Sequence, residues 1–227
     1  MRKLKVLLAG QKFFGQEVLN MLLAMPGIEV AAVSAPPAQG ERQDRLWRLA
    51  GRHRLPRVLA GCLGTVQIPD GVDLIVGAHC HDFISPQALS KTTLGGIAYH
   101  PSLLPRHRGR DAVYWTIHMK DTIAGGTVYW LNTKVDGGPI AAQAHCFVRP
   151  GDSPYELWVR DLQPLGVALL NKVLKDIQNG LIVAVSQDEA LASWEPSVGR
   201  APLFRPDLPL IGPAPDGFRV LVTRSAL

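Results

Sequence analysis

The chain of 227 residues contains only three cysteines, Cys62, Cys80 and Cys146. Their number is odd and they lie far apart, which argues against a disulfide framework, and no CxxC pair indicates a zinc site. We therefore expect a reducing, cytoplasmic compartment and a protein that holds no metal.

Long apolar runs and blocks of like charge are also absent. The apolar residues after the basic N-terminus extend only from Val6 to Ala9, which is too short for a signal-peptide core or a membrane span. The 24 Lys and Arg residues outnumber the 19 Asp and Glu residues, but they are spread along the chain. The net charge of +5 allows an anionic ligand. Neither a membrane nor a nucleic acid is expected as a partner.

Apolar segments of strand length alternate with helical patterns over the first hundred residues. Strands are predicted at "KVLLAG", "IEVAAVS", "VDLIVGAH" and "GGIAYH", and helices at "FFGQEVLNMLLAM" and "RLWRLAGRH". Strands rich in Val, Ile and Leu that alternate with helices pair in parallel and are buried on both faces. The predicted fold class is therefore α/β, with a Rossmann-like, doubly wound, mostly parallel sheet. Ligands of such sheets bind at the carboxyl ends of the strands, where His79 and His100 fall.

The pattern changes after residue 110. "DAVYWTIHMK" predicts a helix, and "GGTVYWLNTKVDGGPIAAQAHCFV" predicts a C-terminal hairpin with an Asp-Gly-Gly turn. A long helix then begins at a capping signature, Ser153 and Glu156, and ends on Gly180. Pro164 must kink or divide that helix.

This pattern predicts that the chain is divided into a folded domain and an extended tail. Residues 1–182 are predicted to form the catalytic domain. Residues 183–227 are predicted to form an extended, Pro-rich tail that packs on this domain, with "FRVLVT" as a candidate strand.

Two ionisable residues stand in unusual local settings. His100 follows an apolar strand and precedes a proline, and Asp136 occupies the Gly-rich turn "VDGGPI". Taken singly, a histidine at a strand end is more often a hydrogen-bonded structural residue, and an Asp before two glycines more often simply forms a turn.

Together, "HPSLLPRHRG" and "VDGGPI", in which Asp136 follows His100 by 36 positions, resemble the folate-dependent formyltransferase family. The resemblance extends over Leu4–Gly180 and is closest to the hydrolase domain of 10-formyltetrahydrofolate dehydrogenase. Further shared features are "GQKFFGQEV", "LQPLGV", Tyr99, Trp115 and Trp130.

The resemblance implies the formyltransferase fold and a small-molecule folate substrate, with 10-formyltetrahydrofolate as formyl donor. Water or an amine attacks the formyl carbon and makes a tetrahedral oxyanion. His100 is implied to stabilise that oxygen or protonate N10, and Asp136 to take the proton of the nucleophile. The implied folate contacts are the pterin-loop residues Ala78, His79, Cys80, His81, Asp82 and Phe83, together with Val135 and Gly137 beside the aspartate.

One departure from the family affects the expected reaction. Many members carry an Asn two residues before the histidine, and Ala98 stands there in this chain. The hydrolase domains of the dehydrogenases also carry an apolar residue at this place, which favours a hydrolase-like function. Loss of one such amide donor lowers the rate on the order of 100 to 1000-fold where the site depends on it. A folate-binding protein without catalytic activity therefore stays an alternative.

Other features bear on the acceptor. Lys12, Phe13 and Phe14 stand where glycinamide ribonucleotide formyltransferases have a small-residue phosphate loop, so that acceptor is not expected. A tRNA acceptor is not expected either, because only the Pro-rich tail follows Gly180. The remaining alternative to water is a small-molecule amine, such as a sugar nucleotide.

The roles of several exposed-looking residues stay open from the sequence. Arg106, His107 and Arg108 could bind the glutamate tail of folate or an anionic acceptor, although exposed loop arginines more often bind neither. Trp194 could cover the cleft or form a subunit contact, and a homodimer is considered for the assembly.

Overall fold

The four strands predicted in the first hundred residues form the centre of a seven-stranded sheet in the computed structural model. The structure describes residues 2–39, 42–61, 63 and 68–198. Its strands are β1 (Leu4–Gly10), β2 (Ile28–Ala35), β3 (Ala38–Gln39), β4 (Arg42–Gln43), β5 (Arg57–Leu59), β6 (Leu74–Ala78), β7 (Gly96–His100), β8 (Ile123–Trp130) and β9 (Ile140–Phe147). Its α-helices are α1 (Lys12–Ala24), α2 (Arg45–Arg52), α3 (Pro86–Ser90), α4 (Ala112–His118), α5 (Pro154–Leu157) and α6 (Gln163–Gln178).

The strand order of the sheet is β5-β2-β1-β6-β7-β8-β9. The five strands from β5 to β7 pair in parallel, whereas β8 runs antiparallel to β7 and β9 runs antiparallel to β8. Strands β3 and β4 pair separately as a short antiparallel ribbon. The predicted α/β class is confirmed, with its mostly parallel sheet followed by a hairpin and a long helix.

Both faces of the central parallel strands β1, β6 and β7 are buried over most of their length, which explains their apolar sequences. In β1, Val6 and Leu8 join the apolar cluster that includes α1 and α6, whereas Leu7 joins a second cluster with Ile75 and Ala88. Successive strand residues point to opposite faces, so a strand covered on both sides needs apolar residues at every position.

The long C-terminal helix begins and divides where the sequence predicts. Ser153 and Glu156 form a reciprocal capping box at the start of α5. A π-helical turn over Trp158–Leu162 separates α5 from α6, and Pro164 lies in the first turn of α6. Pro164 has no N–H to donate to the preceding turn, so a change of helical geometry at this place follows from its chemistry.

Tyr99 links the helix to the sheet at this point. Its hydroxyl donates to the carbonyl oxygen of Leu162 at 2.7 Å, which satisfies an acceptor in the π-helical turn. The Tyr99 ring also covers Gly166 of α6, where an added Cβ would lie 2.6 to 2.8 Å from three ring atoms. The absence of a side chain at Gly166 therefore allows α6 to approach β7.

Residues 1–196 form one compact unit. The candidate strand at residues 218–223 lies outside the described residues, and the boundary between residues 182 and 183 stays a prediction. Within the described part of the chain, no helix is long and apolar enough to cross a membrane.

Replacing Gly166 with Ala tests which of two opposed effects on stability is larger, the contact with Tyr99 or the higher helix propensity of Ala. Propensity alone would favour Ala by about 1 kcal/mol, whereas the contact with Tyr99 predicts that Gly166→Ala lowers the free energy of unfolding by about 1 to 3 kcal/mol. Urea unfolding followed by circular dichroism measures the difference. Lys175→Ala, on the exposed side of α6, is the control and should stay within about 0.5 kcal/mol of the parent. A more stable Gly166→Ala protein would contradict the close approach.

Candidate active site

His100 ends β7 and shares one face of the sheet with three other side chains. Ala98 precedes it by two residues on the same strand, so both point the same way. Thr127 lies opposite His100 on β8, and Tyr129 lies opposite Ala98. Because directly opposed residues of antiparallel strands share a face, the antiparallel pairing adds a hydroxyl and a phenol beside the imidazole.

The imidazole of His100 lies between a backbone carbonyl and a carboxylate. Only 6% of the residue is exposed. Its Nε2 is 2.7 Å from the carbonyl oxygen of His107, and a carbonyl only accepts, so Nε2 carries a proton. Its Nδ1 faces Oδ2 of Asp136 at 3.6 Å. The structure thus brings together the two residues that the sequence proposed as a pair.

Two donors hold the carboxylate of Asp136. The N–H of Gly109 donates to Oδ2 and the Tyr129 hydroxyl donates to Oδ1, each at 2.7 Å. Burial, reinforced by the neighbouring charge of Asp136, raises the pKa of Tyr129 well above its ordinary value, so the phenol keeps its proton and remains a donor. These bonds fix the carboxylate and leave each oxygen a free lone pair for a further partner.

The connection between β8 and β9 must fold back over the sheet to bring Asp136 to His100. A Cβ at Gly138 would lie 1.7 Å from the carbonyl oxygen of Trp130, so only glycine fits there. Asp136 itself has a φ of 48°, in the left-handed region that Asp adopts more readily than most residues. The connection therefore requires glycine at position 138, and Asp is a residue type that tolerates the backbone conformation at position 136.

The loop after His100 is anchored to the antiparallel strands. Thr127 Oγ1 accepts from the N–H of Leu104 at 3.1 Å and donates to the carbonyl oxygen of Ser102 at 2.7 Å. Gln143 of β9 donates through Nε2 to the carbonyl oxygen of Leu104 at 2.9 Å. Positions on β8 and β9 thereby fix the loop that supplies the carbonyl of His107 to His100.

Arg106 and His107 form a charged cluster within the protein. The Arg106 guanidinium donates to both oxygens of Asp121, at 2.8 and 2.9 Å, and holds the pKa of that carboxyl below its usual value. The buried His107 ring lies between Asp121 Oδ2, 2.9 Å from Nε2, and Glu195 Oε1, 3.0 Å from Nδ1. Both nitrogens of this ring therefore face carboxylates of the protein itself, within the same cluster as Arg106.

Residues 183–196 form a segment that we call the strap. Arg108 is buried beneath it. Its guanidinium donates to Gln187 Oε1 at 2.7 and 3.1 Å and to Glu189 Oε2 at 2.9 Å. The Trp194 ring lies over it, with 5.6 Å between Cζ and the ring centroid. The structure thus gives Arg108 and Trp194 internal partners within the described residues.

The predicted pterin loop follows β6 at the same edge of the sheet. Ala78 is buried and its carbonyl oxygen accepts from the N–H of Gln11 at 3.3 Å. His79 has a φ of 59°, and its ring stands 5.0 Å from the ring of His81. Asp82 accepts from the N–H of Gly61, and Phe83 is 61% exposed. The segment is thus a shaped loop with one large apolar side chain open to solvent, and its folate contacts stay a prediction.

Val135 and Gly137 flank Asp136, and both are half-buried. The carbonyl oxygen of Gly137 accepts from Asn132 Nδ2 at 3.4 Å. An added Cβ at Gly137 would lie 2.8 Å from Cβ of Lys134. Their place beside Asp136 follows from the chain, and their contact with folate remains a prediction.

A cavity of about 480 Å³ opens near this region but not at the His100–Asp136 pair. It is lined by the loop after β7, the end of α4 and the start of β8, including Arg106, His107, Lys120 and Asp121. In the described part of the chain, no group of three or more His, Cys, Asp or Glu residues could hold a metal ion.

The sequence reasoning missed two residues of the site. Tyr129 could have been found from strand alternation, because β8 pairs antiparallel with β7 and places it on the His100 face. Gln187 had no local signal: its amide reaches the carbonyl oxygens of Asp136 and Gly138, each at 2.7 Å, from about 50 residues further along the chain.

Comparison with known proteins identifies the family. Residues 66–174 match the family model described as formyl transferase, and they include β6, β7, the hairpin and both His100 and Asp136. Residues 66–174 therefore correspond to a formyl transferase domain. The resemblance drawn from "HPSLLPRHRG" and "VDGGPI" is therefore confirmed.

Curated relatives of the formyl transferase domain include 10-formyltetrahydrofolate dehydrogenases. The mitochondrial protein of Mus musculus is 35% identical over 209 residues, and the cytosolic protein of Homo sapiens is 32% identical over 208 residues. Each alignment covers 85% of this chain and 22% of the relative, so the match spans about a fifth of the relatives' length.

Solved structures share the fold of the formyl transferase domain. Phosphoribosylglycinamide formyltransferase from Anaplasma phagocytophilum aligns with a TM-score of 0.68 at 20% identity, covering 86% of this chain and 99% of that chain. The N-formyltransferase from Helicobacter canadensis, solved with folinic acid and dTDP-3-aminofucose, aligns with a TM-score of 0.67 at 16% identity, covering 86% and 71%. These likenesses establish the fold.

The state of Cys80 tests the packing of the predicted pterin loop. Although the residue is partly exposed, burial of its thiol raises the pKa from 9.0 to about 12. At pH 8 this lowers the thiolate fraction about 1000-fold, and the thiolate is the reactive form. We expect iodoacetamide to alkylate native Cys80 at least about 100-fold more slowly than Cys80 of the urea-unfolded chain, as measured by peptide mass spectrometry. Equal rates would mean that the thiol is not packed as described.

Proposed function

We propose that this protein releases the formyl group of 10-formyltetrahydrofolate to water, with His100 and Asp136 as the catalytic residues. The observation that carries the proposal is the placement of His100 Nδ1 3.6 Å from Asp136 Oδ2 at the end of β7. This distance is longer than an ordinary hydrogen bond, so an oxygen atom of the reaction can contact both groups from one side.

In the proposed reaction, the oxygen of water bonds to the formyl carbon while Asp136 accepts its proton. The formyl oxygen becomes an oxyanion, which a proton on His100 Nδ1 stabilises. The oxyanion then re-forms a carbonyl as the carbon–N10 bond breaks, and N10 takes the proton that Asp136 accepted. Tetrahydrofolate leaves together with formic acid, which releases its proton to solvent and becomes formate. The hydrogen bonds from Gly109 and Tyr129 to Asp136 hold the acceptor oxygen in one orientation during this transfer.

Folate is proposed to bind along the edge of the sheet on both sides of this pair. The loop from Ala78 to Phe83 would hold the pterin ring, largely through backbone groups, and Val135 and Gly137 would contact the ligand beside Asp136. Both segments follow directly from elements of the central sheet, β6 and the hairpin. A site built on rigid elements holds the formyl carbon at a fixed distance and orientation relative to the catalytic residues.

Ala98 supports water rather than an amine as the acceptor, because the hydrolase domains that this chain resembles also carry an apolar residue at this position. Ala98 is half-buried on the His100 face, and its methyl group lies next to Gly77, which has no side chain. This side of the formyl group therefore receives no side-chain amide donor. The site depends on His100 for stabilising the oxyanion, which makes the histidine indispensable under this proposal.

Formate release without an added amine tests the proposal. Purified protein is incubated with 10-formyltetrahydrofolate alone, and tetrahydrofolate and formate are followed with time. His100→Asn and Asp136→Asn are each expected to lower the rate by about 100-fold or more, because each removes a proton-transfer or oxyanion-stabilising group.

Matched controls are His118→Asn and Asp70→Asn, which change the same residue types at exposed positions. Both should retain the parent rate. Release that appears only after an amine is added would replace hydrolysis by transfer to that amine. Binding of 10-formyltetrahydrofolate with neither reaction would reject the catalytic proposal in favour of a folate-binding protein.

A further inference from the structure

The strap crosses the two loops that carry the candidate site and is anchored at both ends. At its start, Val185 and Ile140 exchange backbone hydrogen bonds of 2.7 and 2.9 Å. At its end, the N–H of Ser193 donates to the carbonyl oxygen of Pro105 at 3.1 Å, and Trp115 Nε1 donates to the carbonyl oxygen of Pro196 at 2.9 Å. The strap therefore joins β9 to the loop after His100 and to α4.

Gln187 lies in the middle of the strap, and its amide uses its full hydrogen-bonding capacity. Nε2 donates to the carbonyl oxygens of Asp136 and Gly138, both at 2.7 Å. Oε1 accepts from Nε and Nη2 of Arg108 at 3.1 and 2.7 Å. A side-chain amide has two donors and two acceptor lone pairs, so all four are occupied.

These four bonds join the Asp136 loop to the His100 loop. Arg108 directly follows His107, whose carbonyl oxygen accepts from His100 Nε2, and directly precedes Gly109, whose N–H donates to Asp136 Oδ2. The Gln187 amide thus holds the backbone of Asp136 from one side while the Gly109 amide holds its carboxylate from the other.

The backbone of Asp136 needs such support. A non-glycine residue in the left-handed region is disfavoured and persists where its surroundings fix it. Gln187 donates hydrogen bonds to the carbonyl oxygens of Asp136 and Gly138. These carbonyl groups would move if the φ angle of Asp136 changed to a more common value. Without those donors, the carboxylate would lose its alignment with His100.

We propose that Gln187 is a positioning residue: it fixes Asp136 relative to His100 by tying the Asp136–Gly138 backbone to Arg108. The expected effect of Gln187 on the rate of formyl release rests on the proposed function. Its effect on the backbone of the Asp136 loop can be measured whether or not formyl release occurs. The four hydrogen bonds of the Gln187 amide go to Arg108, Asp136 and Gly138 rather than to the predicted pterin loop, so Gln187 should affect turnover more than folate binding.

Three variants of the strap test this role. Gln187→Glu keeps the size of the side chain and both contacts with Arg108, but its carboxylate cannot donate to the two carbonyl oxygens. Gln187→Ala removes all four bonds. Leu191→Ala, at an exposed position of the same strap, is the matched control.

The first measurement is the split between kcat and KM for formyl release. We expect Gln187→Glu and Gln187→Ala to lower kcat by about 10 to 100-fold, because misplaced catalytic groups affect the reaction step. KM should change less than kcat, because the predicted pterin loop keeps its place while only Val135 and Gly137 shift with the Asp136 backbone, and Leu191→Ala should leave both constants unchanged. If Gln187→Ala does not fold, Gln187→Glu alone decides, and a Gln187→Glu protein with the parent kcat would overturn the proposal.

The second measurement is amide hydrogen exchange at Gly109, whose N–H donates to Asp136. In Gln187→Glu we expect its exchange to accelerate at least about 10-fold, since the acceptor moves away. Unchanged exchange would overturn the positioning role whatever the activity. If the parent protein releases no formyl group while Gly109 exchange accelerates as expected, the proposed function fails and the positioning role of Gln187 stands.

Discussion

The antiparallel pairing of β8 with β7 is the constraint on which the site depends. It places Thr127 opposite His100 and Tyr129 opposite Ala98, so one face of two strands carries the imidazole, a hydroxyl and a phenol. Thr127 anchors the loop that follows β7, and Tyr129 holds the carboxylate of the loop that follows β8. A further parallel strand would have required a crossover helix and could not have returned a short connection to this face.

The fold was accessible from the sequence because each central element carries a strong local signal. Strands buried on both faces read as apolar runs, and the capping box and Pro164 mark the ends of helical segments. The pair His100 and Asp136 came from motifs whose residues lie within short segments. The supports of the pair could not be found in this way, because Gln187 and Arg108 meet only in the folded chain.

The two histidines of "YHPSLLPRHRG" show why residue type alone does not assign a role. Both are buried, and both face a carboxylate. His107 lies between two carboxylates and beside the Arg106–Asp121 pair, so both of its ring nitrogens face groups of the protein itself. His100 has one carboxylate beyond hydrogen-bonding distance and one backbone acceptor, which leaves Nδ1 available to a reacting atom. In the described structure Arg106, His107 and Arg108 all contact carboxylates of the protein itself, and Arg108 is also buried against the strap.

The position of the strap late in the chain has a consequence for how the protein is made. During synthesis the strands of the sheet emerge first, and β7 and the hairpin can pair before the strap exists. Residues 183–196 are added only after α6, so the carbonyl groups of Asp136 and Gly138 receive the Gln187 amide last. The contact between the Gln187 amide and the Asp136 loop therefore cannot form until the chain has been synthesised through α6 and into the strap, although every strand of the sheet is made earlier.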